Sequence, residues 1–237
     1  TLQPIRDIGT LARSKGVLFF TDASQAIGKT PLHVEEDHID LLALSAHKFY
    51  GPKGVGALYV RRRGPRVSLT PQIDGGGHER GMRSGTLNVP GIVGLGEACR
   101  LVAANREADM ARLQPLRDEL EQALLAMEGC VLNGHPVQRL PHMTNISFAG
   151  VDGNALLTRL TRHIALSSGS ACTSATPEPS YVLKAIGRSD ELAHSALRMA
   201  LGNSTTSGEI KYAIDQITEA VRALRSGSLA VNTGNDA

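Results

Sequence analysis

The chain has 237 residues, of which 41% are hydrophobic and 20% are charged, which is an ordinary globular balance with room for one large or two smaller domains. Its net charge of +2 gives no electrostatic reason to expect direct binding of nucleic acid. Three widely spaced cysteines with no Cys-x-x-Cys pair argue against a zinc site or a disulfide framework. We see no signal peptide and no apolar run long enough to span a bilayer, so no membrane partner is expected.

The first part of the chain predicts an α/β pattern. Helical spacing of apolar residues over 4–15 ends at Gly16, and short apolar runs predict strands at 17–20, 41–44 and 56–60. Polar or charged residues follow each run directly. Because ligands in such sheets bind outside the carboxyl ends of strands, the residues just after the strands are the candidates for function.

A glycine-rich, irregular segment at 71–89 is followed by helical periodicity from 92 to about 127, with a break or bend expected near Pro115. We place a domain boundary near Asn105, so that the domains are 1–105 and 106–225, followed by a polar tail, 226–237, that we expect to be disordered. The elements predicted in the second domain are strand 143–148, helix 154–163, strand 164–167, helix 179–186, strand 196–201 and helix 207–224.

Cys172 lies among serine, glycine, alanine and threonine in the segment 167–174. A structural cysteine usually lies in an apolar run, because a free thiol packs as a small hydrophobe. Cys172 is therefore predicted to face solvent or substrate as a nucleophile. We interpret Cys99 and Cys130 as structural.

Lys48 directly follows the second apolar run. A lysine at a sheet edge can lose solvation and form a Schiff base, although an ordinary surface lysine remains the alternative. Asp22 ends the first run and suits a cationic group such as the ring nitrogen of pyridoxal phosphate (PLP). Spacing alone favours a role for Asp22 as a helix cap.

Two further features allow two interpretations each. The segment 83–86 could hold a phosphate through backbone N–H groups and a threonine hydroxyl, or could be a flexible connection. Arg198 lies inside an apolar strand and needs a partner there. That partner is either a substrate carboxylate or a structural ion pair with Asp190 or Glu191.

Taken together, these motifs resemble cysteine desulfurases of the IscS/NifS type, within the PLP-dependent class V aminotransferase family. The resemblance extends from residue 1 to about 224 and rests on the segments 21–25, 45–54, 75–86, 167–174 and 178–183. It implies the aspartate aminotransferase-like fold (fold type I). Residues 1–105 would be part of the large PLP domain, and residues 106–225 would be a smaller α+β domain that carries the cysteine loop.

The resemblance also implies roles for individual residues. Lys48 would carry PLP covalently, Cys172 would accept sulfur and Arg198 would bind the substrate carboxylate. The other cofactor contacts it implies are Asp22 with the ring nitrogen, Gln25 with the phenolic oxygen, Ser45 and His47 with the phosphate, and Thr86 with the phosphate of the neighbouring subunit.

The implied enzyme is a cytoplasmic homodimer that converts L-cysteine to L-alanine and leaves a persulfide on Cys172. The sulfur would pass to an acceptor protein for iron–sulfur clusters or tRNA thiolation. The alternatives are another PLP enzyme of this fold, such as a selenocysteine lyase or an aminotransferase, or a non-catalytic fragment that only dimerises or binds partners. Family members also carry a further N-terminal half of the PLP domain, with no counterpart before Thr1, so we expect a longer protein and sheet edges left open here.

Overall fold

A computed structural model of the chain describes residues 1–168 and 179–232. The chain folds as two compact units. The first comprises Gln3–Glu107, and the second comprises Thr1–Leu2 together with Ala108–Ala237. In the described residues, no helix combines the length and the hydropathy that crossing a membrane requires.

The first unit contains a helix and a three-stranded sheet. Its elements are α1 (Ile5–Ser14), β1 (Phe20–Asp22), β2 (Leu41–Ser45) and β3 (Gly56–Val60). The strand order is β1-β2-β3, with β1 and β2 parallel and β2 and β3 antiparallel. The predictions for α1, β2 and β3 are confirmed to within a residue or two.

The first strand differs from its prediction. The apolar run 17–20 predicted a buried strand, but β1 begins only at Phe20, and Val17 and Leu18 are 59% and 49% exposed. Residues that pair across neighbouring strands point to the same side of the sheet, and only one side of this sheet is covered. Leu42 and its partner Tyr59 pack in the core, whereas Phe20 and Leu58 lie on the opposite, exposed face.

Asp40 joins the segments at one end of this sheet. Its carboxylate accepts a hydrogen bond from the Phe19 N–H (2.9 Å), and the Arg61 Nε lies 3.1 Å from its other oxygen. The backbone makes the same links, because the Asp40 N–H donates to the Phe19 carbonyl and the Arg61 N–H donates to the Asp40 carbonyl. Both side chains of the ion pair are buried, so Asp40 ties together the residues before β1, before β2 and after β3.

The long helix α2 (Val89–Leu125) begins in the first unit and ends in the second. Of the break or bend expected near Pro115, the break is absent, since the helix continues through it. A proline removes one backbone N–H from the helix ladder. Fully or almost fully buried Leu113, Leu120 and Leu124 anchor the helix on both sides of that position.

The remaining elements, which belong to the second unit, are β4 (Cys130–Leu132), β5 (Met143–Phe148), α3 (Gly153–Leu160), β6 (Ser167–Ser168), α4 (Tyr181–Ala185), α5 (Asp190–His194), β7 (Ala196–Ala200) and α6 (Ser207–Asn232). The strands form an antiparallel sheet of order β4-β5-β7-β6, with α2, α3 and α6 packed against one face and the short helices α4 and α5 against part of the other. The core joins Ile146 and Phe148 of β5 and Leu197 of β7 to apolar residues of α2 and α6.

Three predictions in this unit need correction. Strand β6 begins at Ser167 rather than at 164, and helix α5 was not predicted, although Ser189 caps it by accepting a hydrogen bond from Leu192 N–H. The tail expected to be disordered from 226 is helical to Asn232, because one glycine in a helix costs only about 1 kcal/mol and the residues around it are compatible with helix. Residues 233–237 lie outside the described residues.

Glu121 of α2 forms the principal buried ion pair of the second unit. Both of its carboxylate oxygens accept hydrogen bonds from Arg139, at 2.6 and 2.5 Å, and Thr144 donates a third. Burial alone would raise the pKa of Glu121, but the hydrogen bonds from Arg139 and Thr144 outweigh it and hold the pKa below its ordinary value of 4.5.

We predict that Glu121→Gln lowers the free energy of unfolding by about 3 kcal/mol at neutral pH, because it leaves the buried Arg139 without a counter-charge. The folded pKa is depressed, so the stabilisation is complete above pH 4.5 and is lost as the pH falls through the folded pKa. Urea unfolding followed by circular dichroism should therefore give a gap between the two proteins that narrows below that pH.

Glu128→Gln is the matched control, because Glu128 is exposed and makes no ion pair within the described part of the chain. Its stability should equal that of the wild type. A gap for Glu121→Gln that stays constant from neutral to acid pH would contradict the assigned role of the ionised carboxylate.

Candidate active site

Parallel pairing brings four of the predicted site residues to one edge of the first sheet. In the register of β1 and β2, Asp22 lies opposite Ala43, so the carboxyl ends of both strands reach the same edge. Asp22 is the last residue of β1 and Ser45 the last of β2. A 3₁₀ turn, Ala46–Phe49, follows β2 directly and carries His47 and Lys48.

The turn that carries Lys48 is anchored through its two ends. Ala46 and Phe49 are fully buried, whereas His47 and Lys48 between them are exposed. Residues three apart lie on the same side of a 3₁₀ helix, so the two anchors face the core together. The Ala46 N–H also donates to the Val55 carbonyl at 3.0 Å, which ties the turn to the start of β3.

Gly51 closes the turn because no side chain fits at its position. Its N–H donates to the Ala46 carbonyl at 2.9 Å. A Cβ placed there would lie 2.9 Å from the Ala46 Cβ and 3.1 Å from the Ala98 Cβ. The preceding residue, Tyr50, adopts a left-handed conformation with φ of 70°. The backbone around Lys48 is thus fixed by close contacts.

Asp22 is held as an anion. Hydrogen bonds from the side chain and the N–H of Ser24 lower the pKa of the Asp22 carboxyl below its ordinary value, and the charge of Lys48 lowers it further. The Ser24 N–H lies 2.8 Å from Oδ1. Ser24 is the sole described residue that hydrogen-bonds this carboxylate. The carboxylate can therefore cap the turn and also bind a ligand, so the two interpretations of Asp22 are compatible. Ser24 was not among the predicted site residues, although an Asp-x-Ser turn is the signal for it.

The other predicted cofactor residues of this unit are exposed. Gln25 lies in the turn after β1, where the N–H groups of Ala26 and Ile27 donate to the Ala23 carbonyl. Thr86 follows a braced loop in which buried Ser84 accepts a hydrogen bond from the Gly77 N–H at 3.2 Å. The Thr86 hydroxyl makes no hydrogen bond to any part of the chain that the structure describes.

Arg198 belongs to the second unit, on β7. Its Nε donates to the Ser167 hydroxyl at 3.1 Å. Neither alternative partner is paired with it, because Asp190 pairs with Lys184 at 2.9 Å and Glu191 accepts from the Gly150 N–H. Across 1–168 and 179–232, the two terminal nitrogens of Arg198 make no hydrogen bond or ion pair.

The predicted nucleophile, Cys172, lies outside the described residues. The other two cysteines are half-buried. Burial raises the pKa of the Cys99 thiol, and it raises that of Cys130 despite a smaller opposing effect of Arg225. Neither thiol is thus placed to form a thiolate readily at neutral pH.

The aminotransferase class-V family model matches residues 1–212. Over 224 residues the chain is 55% identical to a mitochondrial cysteine desulfurase of Arthroderma benhamiae, which covers 94% of this chain and 44% of that protein. It is 53% identical over 228 residues to the cysteine desulfurase IscS of Anaeromyxobacter dehalogenans, with 96% and 56% covered. A solved NifS-like protein from Rickettsia africae superposes with a TM-score of 0.84 at 31% identity, covering 92% of this chain and 57% of that one.

The chain spans about half the length of the curated relatives it matches. The structural match confirms the fold type I, α/β architecture that the resemblance implied. Since the family model covers most of the residues, the chain belongs to the PLP-dependent aminotransferase class-V family.

Proposed function

We propose that this chain belongs to a PLP-dependent cysteine desulfurase, which converts L-cysteine to L-alanine and leaves a persulfide on Cys172. The observation that carries the proposal is the placement of Asp22 and Lys48 at one edge of a parallel strand pair, close enough for the charge of Lys48 to lower the pKa of Asp22. The names of relatives at 53–55% identity favour this chemistry over that of other class-V enzymes.

The residues at this edge fit PLP by their chemistry. An ionised Asp22 is the partner that a protonated ring nitrogen requires. Ser45 and His47 offer a hydroxyl and an imidazole for a phosphate, and the exposed amine of Lys48 is available for a carbonyl. When bound, PLP supplies an electron sink for charge that develops at the substrate Cα.

Lys48 and Arg198 act on the substrate in this proposal. Lys48 would hold PLP covalently through Nζ, and as a free amine Nζ would take the proton from Cα and return it. Arg198 binds the carboxylate through its two terminal nitrogens, since its Nε is already bonded to Ser167.

Cys172 takes up the sulfur. Its thiolate attacks the substrate sulfur, so that a new S–S bond forms as the C–S bond breaks. The bonding electrons stay with the substrate carbon, which gains a proton and becomes the methyl group of alanine. The resemblance implies this role for Cys172, and the assignment is supported by burial, which raises the pKa of both other thiols.

The partners follow from this chemistry. A persulfide must be consumed, so we propose a sulfur-acceptor protein, either an iron–sulfur scaffold or a thiolation carrier. We also propose a homodimer in which Thr86 reaches the phosphate held by the other subunit. The cytoplasmic location stays a prediction, because the similar proteins include mitochondrial ones.

We predict that borohydride reduction of the PLP-loaded protein fixes the cofactor to Lys48, and that Lys48→Ala abolishes the labelling. Peptide mapping is the measurement. Lys29 and Lys53 are the internal controls. Lys29 is buried against the ring of Tyr50, with Nζ 4.7 Å from the ring centroid. Label on either control in place of Lys48 would overturn the assignment.

We predict that Cys172→Ser keeps PLP absorbance but forms no persulfide, because a hydroxyl is a far weaker nucleophile toward sulfur than a thiolate. Mass spectrometry of the protein after incubation with L-cysteine measures the added sulfur. Cys99→Ser and Cys130→Ser should retain it. Undiminished alanine release by Cys172→Ser would refute the role, and glutamate formation with an amino acceptor would favour an aminotransferase.

We predict that Arg198→Lys raises KM for L-cysteine by about tenfold or more and leaves PLP absorbance unchanged. Lysine keeps the charge but loses the planar pair of donors, and a lost charge-assisted hydrogen bond costs about 1.5–3 kcal/mol. Arg159→Lys on α3 is the control, because it is exposed. Equal KM values for wild type and Arg198→Lys would leave Arg198 with a structural role alone.

A further inference from the structure

A row of polar side chains crosses the outer face of the second sheet. Asn145 on β5 and Ser167 on β6 both lie directly opposite Arg198 of β7, and Asn133, just after β4, donates its N–H to the Asn145 carbonyl at 2.9 Å. Residues directly opposite in antiparallel strands project from the same face. The core residues Ile146 and Leu197 alternate with this row and project from the other face.

Arg188 fixes the orientation of the first amide in the row. Its Nε donates to Asn133 Oδ1 at 2.7 Å, and its Nη2 donates to the Leu132 carbonyl at 2.8 Å. A guanidinium has donors only, so the oxygen of the buried Asn133 side chain must face it. The Asn133 amide nitrogen therefore faces the other way, toward Asn145.

The second amide, that of Asn145, is oriented in the same way. Asn133 Nδ2 donates to Asn145 Oδ1 at 2.7 Å and to the Ser147 hydroxyl at 2.8 Å. The Ser147 hydroxyl uses its own proton on the Leu192 carbonyl at 2.6 Å, so it can only accept from Asn133. The Asn145 oxygen is consequently occupied, and among the described residues its amide N–H groups are the free end of the chain of hydrogen bonds.

The free end lies beside Arg198. The Asn145 side chain is half-exposed, and its amide nitrogen donates no hydrogen bond to residues of the described ranges. Within the same ranges, Arg198 is likewise anchored at Nε alone. This cross-strand pair thus presents two kinds of donor and no acceptor, which is the arrangement that an anion with several lone pairs needs.

We propose that Asn145 is a second carboxylate-binding residue, whose amide N–H joins the Arg198 guanidinium on the α-carboxylate of the substrate, and that Arg188 and Asn133 are positioning residues that fix the amide in the donating orientation. The inference rests on the proposed function, which supplies an amino-acid substrate. Asn145 thereby adds directional recognition to the charge of Arg198.

The direct test is Asn145→Asp, which keeps the shape and the acceptor for Asn133 but replaces the N–H donors with oxygen. We expect KM for L-cysteine to rise at least about tenfold, with kcat and PLP absorbance nearly unchanged. Asn154→Asp makes the same change of charge at an exposed position of α3 and should leave KM as it is.

The relay is tested by Asn133→Asp, which never touches substrate. The new carboxylate still accepts from Arg188 but cannot donate to Asn145, so the Asn145 amide turns its N–H groups inward and presents oxygen to the substrate. We expect a rise in KM comparable to that of Asn145→Asp. A merely structural role would lower stability or kcat without this selective rise.

A binding measurement separates this inference from the proposed function. In ¹⁵N-labelled protein, the Asn145 side-chain amide, identified by its loss in Asn145→Asp, should shift on addition of L-alanine and not of L-alaninamide, which lacks the carboxylate. If Arg198→Lys raises KM and Asn145→Asp does not, the inference is overturned and the proposed function stands. If the protein turns over no cysteine, the proposed function is wrong. Independently of turnover, an Asn145 side-chain amide signal that does not shift with L-alanine overturns the inference.

Discussion

The first unit depends on the buried ion pair between Asp40 and Arg61. A carboxylate and a guanidinium taken out of water are stable only when their remaining hydrogen-bonding groups are satisfied. Asp40 Oδ1 has only the ion pair, and the other groups find their hydrogen-bond partners in the chain segments that must be aligned. Asp40 accepts from the Phe19 N–H, and Arg61 donates to the carbonyls of Val34 and Ile39 and to Glu35. The hydrogen bonds that offset the cost of burying the two charges also align the residues before β1, before β2 and after β3. This alignment sets the register of the three strands.

The two units reach their candidate groups by different physical means. In the first, parallel pairing brings strand ends together, and the groups lie on the turns beyond them. In the second, antiparallel pairing brings side chains together across the strands, and the groups lie on the sheet face itself. Turns allow groups such as Lys48 to extend into solvent. A sheet face holds groups such as Arg198 at fixed spacing, which suits recognition of a rigid carboxylate.

The sequence predicted those parts of the fold that local patterns determine. Strands β2, β3 and β5 are compact apolar or alternating runs with clear ends, and their predicted bounds are close to those observed. The predicted bounds of β1 were wrong because an apolar run does not reveal which of its residues pair with another strand. The sequence left a break of α2 at Pro115 open, because the leucines that hold the helix there do so by packing in the core, which a local rule for proline cannot include.

The candidate site also has a part that local sequence patterns reveal and a part that they do not. Asp22 and Lys48 could be found because each stands at the end of an apolar run, whereas the roles of Ser45 and His47 were implied by the resemblance. The relay from Arg188 to Asn145 could not be found, because it joins residues of separate strands and loops, 12 positions apart for Asn133 and Asn145 and 55 for Arg188 and Asn133. Only the register of the sheet makes them neighbours. Their roles, like that of Cys172, stay predictions.

The 3₁₀ turn around Lys48 separates rigidity from motion within four residues. Ala46 and Phe49 are immobilised by the core, so the Lys48 Cα is a fixed pivot. The motion that remains is rotation about the bonds of the flexible four-carbon side chain of Lys48, which moves the amine between different positions. One nitrogen can then occupy two positions in succession without any backbone movement. A group that must first hold a molecule and then exchange a proton with it needs that combination, and a lysine on a mobile loop or one packed along its whole length would lack it.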